Sequence, residues 1–224
     1  MQDIEKFIRG FQQFQQKYFS DQQDLFDDLR RGQKPKTLLI GCCDSRADPA
    51  LLTGSDPGDM FVIRNVANLI PPFQIGNTVQ GVSSAVEFAI NALNVERVIV
   101  LGHQHCGGIR ALMQGTSKAV SPSGFVERWM SLADAARERV LAELPNHSPD
   151  AQLRAAELAS ILVSLQNLLT YPWIADKVER NELSVHGWYF DIDRGALMGY
   201  SPRLGEFLPL VCPLEPHIHP SDFS

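Results

Sequence analysis

The stretch Thr37-Leu38-Leu39-Ile40-Gly41-Cys42-Cys43-Asp44-Ser45-Arg46 joins an unbroken apolar run to a group of reactive side chains. Such a run is typical of a strand buried on both faces of a parallel sheet. Arg97-Val98-Ile99-Val100-Leu101-Gly102 repeats the pattern, because it also ends in reactive residues, His103-Gln104-His105-Cys106. Residues 60–64 resemble a third strand, and residues 81–93 have helical periodicity. Strands alternating with helices predict an α/β fold with a central, mainly parallel β-sheet flanked by helices.

The rest of the sequence is predicted to complete one domain over residues 1–224. Residues 3–31 have helical periodicity and an aromatic-rich apolar stripe, which indicates an N-terminal helical arm (1–31) that packs on a partner subunit. Residues 213–224 are rich in proline and are predicted to form a flexible tail. Further helices are expected at 108–114, 125–144, 150–169 and 173–179, and further strands at 183–192 and 196–201.

The composition argues against several classes of function. A formal charge of −6 opposes nucleic-acid binding, which needs a basic surface. No apolar stretch is long enough to span a bilayer, and the first residues lack the features of a signal peptide. We therefore expect a cytoplasmic protein with no nucleic-acid or membrane partner. Four cysteines are too few for a disulfide scaffold and indicate metal binding or catalysis instead.

His103 and Cys106 lie three residues apart after a predicted strand, so both side chains could turn toward one metal ion. This pair alone is a weak signal, because such a residue is more often buried or a helix cap. The distant Cys42 also ends a strand, and neighbouring ends of parallel strands bring remote residues together. Two thiolates and an imidazole suit a soft divalent metal. Three protein ligands leave a fourth position open, as at catalytic zinc sites.

Asp44 and Arg46 form a candidate pair beside this predicted metal site. They are two residues apart, so in an extended segment their side chains point the same way. An exposed pair of this kind contributes little to stability and needs no function. Next to a metal, however, Arg46 would keep Asp44 ionised, so that Asp44 only accepts hydrogen bonds and orients a water molecule.

Taken together, the motifs resemble the β-class carbonic anhydrases, and their plant-type subgroup in particular. The three motifs are Cys42-Cys43-Asp44-Ser45-Arg46, Phe61-Val62-Ile63-Arg64-Asn65-Val66-Ala67-Asn68 and Gly102-His103-Gln104-His105-Cys106-Gly107-Gly108. Two later segments, Asn167-Leu168-Leu169-Thr170-Tyr171-Pro172 and His186-Gly187-Trp188, extend the similarity over roughly residues 30–200. Any one motif would be unspecific, whereas the combination is highly specific.

The resemblance implies a zinc lyase that reversibly hydrates carbon dioxide to bicarbonate and a proton. It implies one Zn²⁺ per subunit, bound by Cys42, His103 and Cys106, with attack by zinc-bound hydroxide that Asp44 and Arg46 orient. It also implies a homodimer or a higher multiple of dimers. Two thiolates leave less positive charge on zinc than three histidines do, so we expect activity to rise from neutral pH into the alkaline range.

The resemblance also implies a substrate pocket. Gln33 matches a glutamine that donates a hydrogen bond to the substrate, and Phe61 and Val66 match apolar wall residues. Phe88 stands where plant-type members have a tyrosine, so a hydroxyl is missing from this wall. Gly107 permits close approach of the backbone. In this family part of the wall comes from the neighbouring subunit, so the dimer would be needed for activity.

One subgroup of the family closes its site by binding the motif aspartate to zinc, and binds bicarbonate elsewhere through a tryptophan and a tyrosine. Leu39 and Phe190 stand at the latter two positions here. We therefore predict an open site in which Asp44 stays paired with Arg46.

Other interpretations remain at this stage. The same scaffold could hydrolyse carbonyl sulfide or carbon disulfide. A noncatalytic zinc protein would fill the fourth position with Asp44 or Cys43, and a redox role for the adjacent Cys42 and Cys43 is a third possibility. His105 is a candidate for carrying the proton out of the site, although a histidine bonded to nearby backbone is the commoner arrangement.

Overall fold

Six β-strands form one sheet at the centre of the computed structural model, which describes residues 2–76, 79–116 and 122–214. The strands are β1 (Thr37–Cys42), β2 (Met60–Asn65), β3 (Arg97–His103), β4 (Ser184–Asp191), β5 (Ala196–Ser201) and β6 (Glu206–Val211). They lie in the order β2-β1-β3-β4-β5-β6. The pairings among β2, β1, β3 and β4 are parallel, whereas β5 is antiparallel to both of its neighbours, β4 and β6. The predicted α/β fold with a mainly parallel sheet is confirmed.

Helices connect the strands and flank the sheet. The α-helices among the described residues are α1 (Gln2–Gln16), α2 (Gln23–Leu29), α3 (Pro49–Thr53), α4 (Gly81–Glu87), α5 (Gly107–Met113), α6 (Phe125–Met130), α7 (Asp134–Glu143), α8 (Pro149–Leu168) and α9 (Pro172–Glu179). No single helix of this set is long and apolar enough to cross a membrane, although α8 and α9 together meet that test across their 93° bend.

The structure differs from the sequence predictions in several elements. The predicted helix 3–31 is divided by a π-helical turn at Lys17–Asp21, and the predicted helix 125–144 is divided by a 3₁₀ turn at Ser131–Ala133. Helix α3 and strand β6 were not predicted. Most of the predicted flexible tail, residues 215–224, lies outside the described residues.

Helix α8 packs across one face of the sheet. Because side chains alternate along a strand, β1 and β3 send two separate sets of apolar residues to the two faces. The set on the α8 side packs against Ile161 and Leu165 and includes Leu38, Ile40, Val98 and Val100. The set on the other face is Leu39, Ile99 and Leu101, with Trp188, Phe190 and Leu197 packed against it.

The N-terminal arm contacts the domain near the end of its first helix. Tyr18 is 7% exposed, and its hydroxyl donates a hydrogen bond of 2.5 Å to Asp56. Helix α1 leaves an apolar stripe of Ile4, Phe7, Ile8 and Phe11 exposed, each by 55% or more. That this stripe packs on a partner subunit stays a prediction.

We predict that Gly187→Ala lowers the free energy of unfolding by about 1–3 kcal/mol, because an added Cβ overpacks the contact between α8 and β4. That Cβ would lie 2.9 Å from Ile161 Cγ2 and 3.1 Å from Leu165 Cδ1. Urea denaturation measures the change. Gly81→Ala is the control, since a Cβ there meets nothing within 4 Å. Equal stability of the two variants would contradict tight packing at this contact.

Candidate active site

Two adjacent strands end at a cluster of three metal-binding side chains. Cys42 is the last residue of β1, and His103 is the last residue of β3. Cys106 follows one turn later as the residue preceding α5. The two Sγ atoms and a ring nitrogen of His103 all lie within 4.8 Å of one another, and all three residues are buried. The parallel pairing of β1 with β3 therefore brings the three predicted ligands together.

His103 presents an unpaired nitrogen to this cluster. Its Nδ1 lies 2.8 Å from the carbonyl oxygen of Gln104. Since a carbonyl only accepts hydrogen bonds, Nδ1 must carry the proton, which leaves a lone pair on Nε2. Nε2 is buried and has no hydrogen-bond partner among the described residues. A metal ion held with the two thiolates would supply that missing partner, so the residues present fit zinc.

The two cysteines interact strongly with each other. The hydrogen bond from Cys106 lowers the pKa of Cys42 to about 4, and the same bond raises the pKa of Cys106. The backbone N–H of Ala67 also donates to Cys42 Sγ at 3.4 Å. The proton between the two sulfurs therefore stays on Cys106. A metal ion that binds both residues as thiolates would displace this proton.

Asp44 and Arg46 form a bidentate ion pair beside the cluster. Arg46 donates from Nε to Asp44 Oδ1 at 2.9 Å and from Nη2 to Oδ2 at 2.8 Å. This pairing holds the pKa of Asp44 well below its usual range. Asp44 Oδ2 also lies 3.9 Å from His103 Nε2. An ionised carboxylate that only accepts hydrogen bonds therefore stands next to the candidate metal position.

Arg64 fixes the backbone that carries Cys42 and Asp44. Its guanidinium donates to the Cys42 carbonyl at 2.9 Å and to the Asp44 carbonyl at 2.8 Å. It also pairs with Asp48, the residue that caps the N-terminus of α3. Asp48, at the start of the unpredicted α3, therefore positions the guanidinium that bonds to the Cys42–Asp44 backbone.

A polar row on α8 holds the loop that follows β2. Ser164 donates to the carbonyl of Asn68 at 3.1 Å, and Asn167 donates to the carbonyl of Ile70 at 2.8 Å. Ala67 and Asn68 have positive φ values of 63° and 49°, so this loop depends on such anchors. Ala67 is the residue that donates to Cys42 Sγ, and the row therefore acts on the metal cluster indirectly.

The sequence analysis missed this row and, within it, the buried Glu157. Glu157 is 2% exposed, and it accepts a hydrogen bond from the backbone N–H of Cys106 at 3.0 Å. Hydrophobic periodicity identifies only the apolar part of a helix face. Glu157, Ser160, Ser164 and Asn167 repeat at intervals of three and four residues, and that polar periodicity was the available signal.

The predicted pocket residues fall into two separate groups. Val66 lies beside the cluster, because it precedes Ala67, whose N–H donates to Cys42 Sγ. Its Cγ1 is also 2.9 Å from the position that a Cβ on Gly108 would take. Gly107 follows Cys106 directly and begins α5. Phe61 and Phe88 contact each other, with ring centroids 5.9 Å apart. Phe61 precedes Asn65, the strand partner of Cys42, by four residues, which is about 13 Å along β2.

Gln33 lies still farther from the cluster of its own chain. It is exposed in the segment that leads into β1, whereas Cys42 stands at the other end of that strand. The six residues of β1 alone separate the two ends by about 17 Å. One chain therefore does not bring Gln33, Phe61 and Phe88 to its own metal cluster.

His105 makes side-chain contacts that the sequence did not indicate. Its Nε2 lies 3.0 Å and 3.1 Å from the two carboxylate oxygens of Asp193, in the turn after β4. Gln104 donates to the same carboxylate at 2.7 Å. This carboxylate orders the turn between His103 and Cys106.

Comparisons with known proteins agree with this arrangement. The carbonic anhydrase family profile matches residues 37–197. The chain is 38% identical over 205 residues to a carbonic anhydrase of Synechocystis sp., an alignment that covers 92% of this chain and 74% of that protein. It is 42% identical over 189 residues to the mitochondrial β-carbonic anhydrase 6 of Arabidopsis thaliana, which covers 84% of this chain and 64% of that protein.

A solved structure resembles the whole described fold. The β-carbonic anhydrase CcaA matches with a TM-score of 0.85 at 38% identity, over 92% of this chain and 99% of that chain. The family profile covers most of this chain, and relatives above 30% identity cover more than two thirds of it. The chain therefore belongs to the β-class carbonic anhydrases, a family of zinc enzymes that interconvert carbon dioxide and bicarbonate.

Proposed function

We propose that this chain hydrates carbon dioxide reversibly at a single zinc site per subunit formed by Cys42, His103 and Cys106. The observation that carries the proposal is the unpaired Nε2 of His103, buried between two thiols and 3.9 Å from the ionised Asp44. When bound there, zinc would acidify a water molecule enough to make it a nucleophile near neutral pH.

Asp44 and Arg46 direct the reaction in this proposal. Both oxygens of Asp44 accept from Arg46, so the carboxylate stays ionised and cannot donate a hydrogen bond. Asp44 would then accept a hydrogen bond from the reacting water, which directs a lone pair of the water oxygen toward carbon dioxide. Arg46 also donates to the carbonyl of His105 at 3.1 Å, which fixes the guanidinium relative to the turn that carries two of the zinc ligands.

We further propose that each site is built from two copies of the chain. Gln33, Phe61 and Phe88 lie far from their own cluster, and Phe88 is 49% exposed. An open cleft of about 570 Å³ borders Val66 and could receive such apolar side chains from a second copy. The exposed stripe of α1 offers a further contact. A homodimer, or a multiple of dimers, would therefore bring Gln33 of one subunit to the zinc of its partner.

A noncatalytic zinc site is less compatible with the geometry. Such a site needs a fourth protein ligand, and Asp44 is already engaged by Arg46. Cys43, the other candidate, is exposed, whereas Cys42 is buried in the cluster. Carbon dioxide is favoured over a sulfur-containing substrate because the matching family profile and relatives are carbonic anhydrases.

We predict that the zinc-loaded protein hydrates carbon dioxide at a rate that rises between about pH 6.5 and pH 9, since two thiolate ligands reduce the acidity of the water at zinc. Stopped-flow measurement with a pH indicator gives the rate, and metal analysis gives the zinc content. Cys42→Ser should lose both, whereas Cys43→Ser should keep both. Full zinc content without activity at any pH would contradict the proposed reaction.

Asp44→Asn should lower kcat by about 100-fold, because the amide can donate a hydrogen bond where the carboxylate only accepts. Its zinc content should equal that of the unmodified protein. Asp176→Asn, which changes an exposed carboxylate on α9, serves as the control. Unchanged turnover in Asp44→Asn would remove the proposed orienting role of the ion pair.

A mixed dimer tests whether the site is shared. Gln33→Ala and Cys42→Ser should each be poorly active as homodimers. Co-expressed with two different affinity tags, they should form a heterodimer with one complete site, and hence about half the activity of the unmodified dimer. A heterodimer no more active than Gln33→Ala alone would show that Gln33 acts within its own subunit or not at all.

A further inference from the structure

Both oxygens of the buried Glu157 carboxylate accept hydrogen bonds next to the metal cluster. Oε1 accepts the backbone N–H of Cys106 at 3.0 Å, and Oε2 accepts the hydroxyl of Tyr189 at 2.8 Å. Glu157 is 2% exposed and Tyr189 is fully buried. Burying a carboxylate is costly unless its hydrogen bonds are satisfied, so this arrangement fixes the carboxylate in one orientation.

Neighbouring groups hold Tyr189 in place as well. The guanidinium of Arg154 stands 5.4 Å from the centre of the Tyr189 ring. Arg154 also donates to Asp191 at 2.9 Å, and Asp191 is 1% exposed. Arg154 of α8 therefore holds Tyr189 of β4, the residue whose hydroxyl donates to Glu157.

The peptide unit that links His105 to Cys106 is held at both ends. Glu157 accepts from its N–H, and Arg46 donates to its carbonyl oxygen at 3.1 Å. Because a peptide unit is planar, two such contacts fix its orientation and the direction in which the Cys106 side chain leaves the backbone. The following residues, Gly107 and Gly108, add little stiffness of their own.

We propose that Glu157, supported by Tyr189, is a positioning residue that aims the Cys106 thiolate at the metal. The inference rests on the proposed zinc site and adds a requirement to it. Through the clamped peptide unit, Glu157 acts on the same turn as Arg46, the partner of Asp44. Zinc affinity and the geometry around the metal should therefore both depend on a side chain that touches neither zinc nor substrate.

The test is zinc affinity, measured by competition with a chromogenic chelator, together with the absorption spectrum of the cobalt(II)-substituted protein. Glu157→Ala should bind zinc about 10- to 100-fold more weakly, as is typical when a supporting partner of a metal ligand is lost. Glu157→Gln keeps an oxygen for the Cys106 N–H and should stay within about threefold of the unmodified protein. Glu143→Ala, which removes an exposed carboxylate on α7, should have no effect.

The cobalt spectrum separates positioning from a general loss of stability. The thiolate-to-cobalt bands should shift in Glu157→Ala and return in Glu157→Gln. Should Glu157→Ala fail to fold, Tyr189→Phe removes the hydroxyl that steadies the carboxylate and should weaken zinc binding by several-fold with a smaller spectral shift.

The outcomes that overturn the inference are distinct from failure of the zinc site itself. Unmodified zinc affinity and spectrum in Glu157→Ala would overturn it, as would a Glu157→Gln variant that binds as weakly as Glu157→Ala. Where Glu157→Ala does not fold, unchanged affinity in Tyr189→Phe would do the same. A wild-type chain that binds no zinc would overturn the proposed metal site, and the positioning role with it.

Discussion

Helix α8 must satisfy two opposite demands on one buried face. Its apolar residues Ile161 and Leu165 pack into the core of the sheet, while Glu157, Ser164 and Asn167 bond to the loops that carry the site. Buried polar groups are tolerated only when they are paired, so each of these residues also fixes the position of a loop. The position of α8 on the sheet thus determines the arrangement of the metal cluster.

Charge is balanced locally around that cluster. Two thiolates would neutralise a divalent metal ion, and Arg46 neutralises Asp44. Arg64 and Asp48 form a second pair one layer outward, where the guanidinium also holds two carbonyls of the Cys42–Asp44 segment. Because Asp44 has an arginine partner at hydrogen-bond distance, the site can place an ionised carboxylate beside a metal position without leaving that charge unpaired.

The parallel strands and the meeting of Cys42 with His103 and Cys106 could be predicted from sequence, because apolar runs ended at reactive residues. Strand β6 could not, since Pro209 interrupts a short, largely exposed edge strand that has no clean alternation. The hydrogen-bond partners on α8 could not be predicted either, because an apolar pattern does not distinguish a buried polar residue from an exposed one. Motif similarity predicted Gln33 and Phe61 as pocket residues but did not indicate that both lie far from the metal cluster of their own chain. The partner of the N-terminal arm, the single-domain organisation and the cytoplasmic location stay predictions.

Of the five non-glycine residues with positive φ in the described part of the chain, three lie beside the metal cluster. Ala67, Asn68 and His105 adopt positive φ values of 63°, 49° and 58°, conformations that non-glycine residues rarely adopt. Such conformations persist only when the surrounding structure enforces them. If the contacts of α8 loosen, the loops around the cluster should relax before the sheet does. Local opening, rather than global unfolding, would then set how fast these amides exchange with solvent and how fast the protein releases its metal.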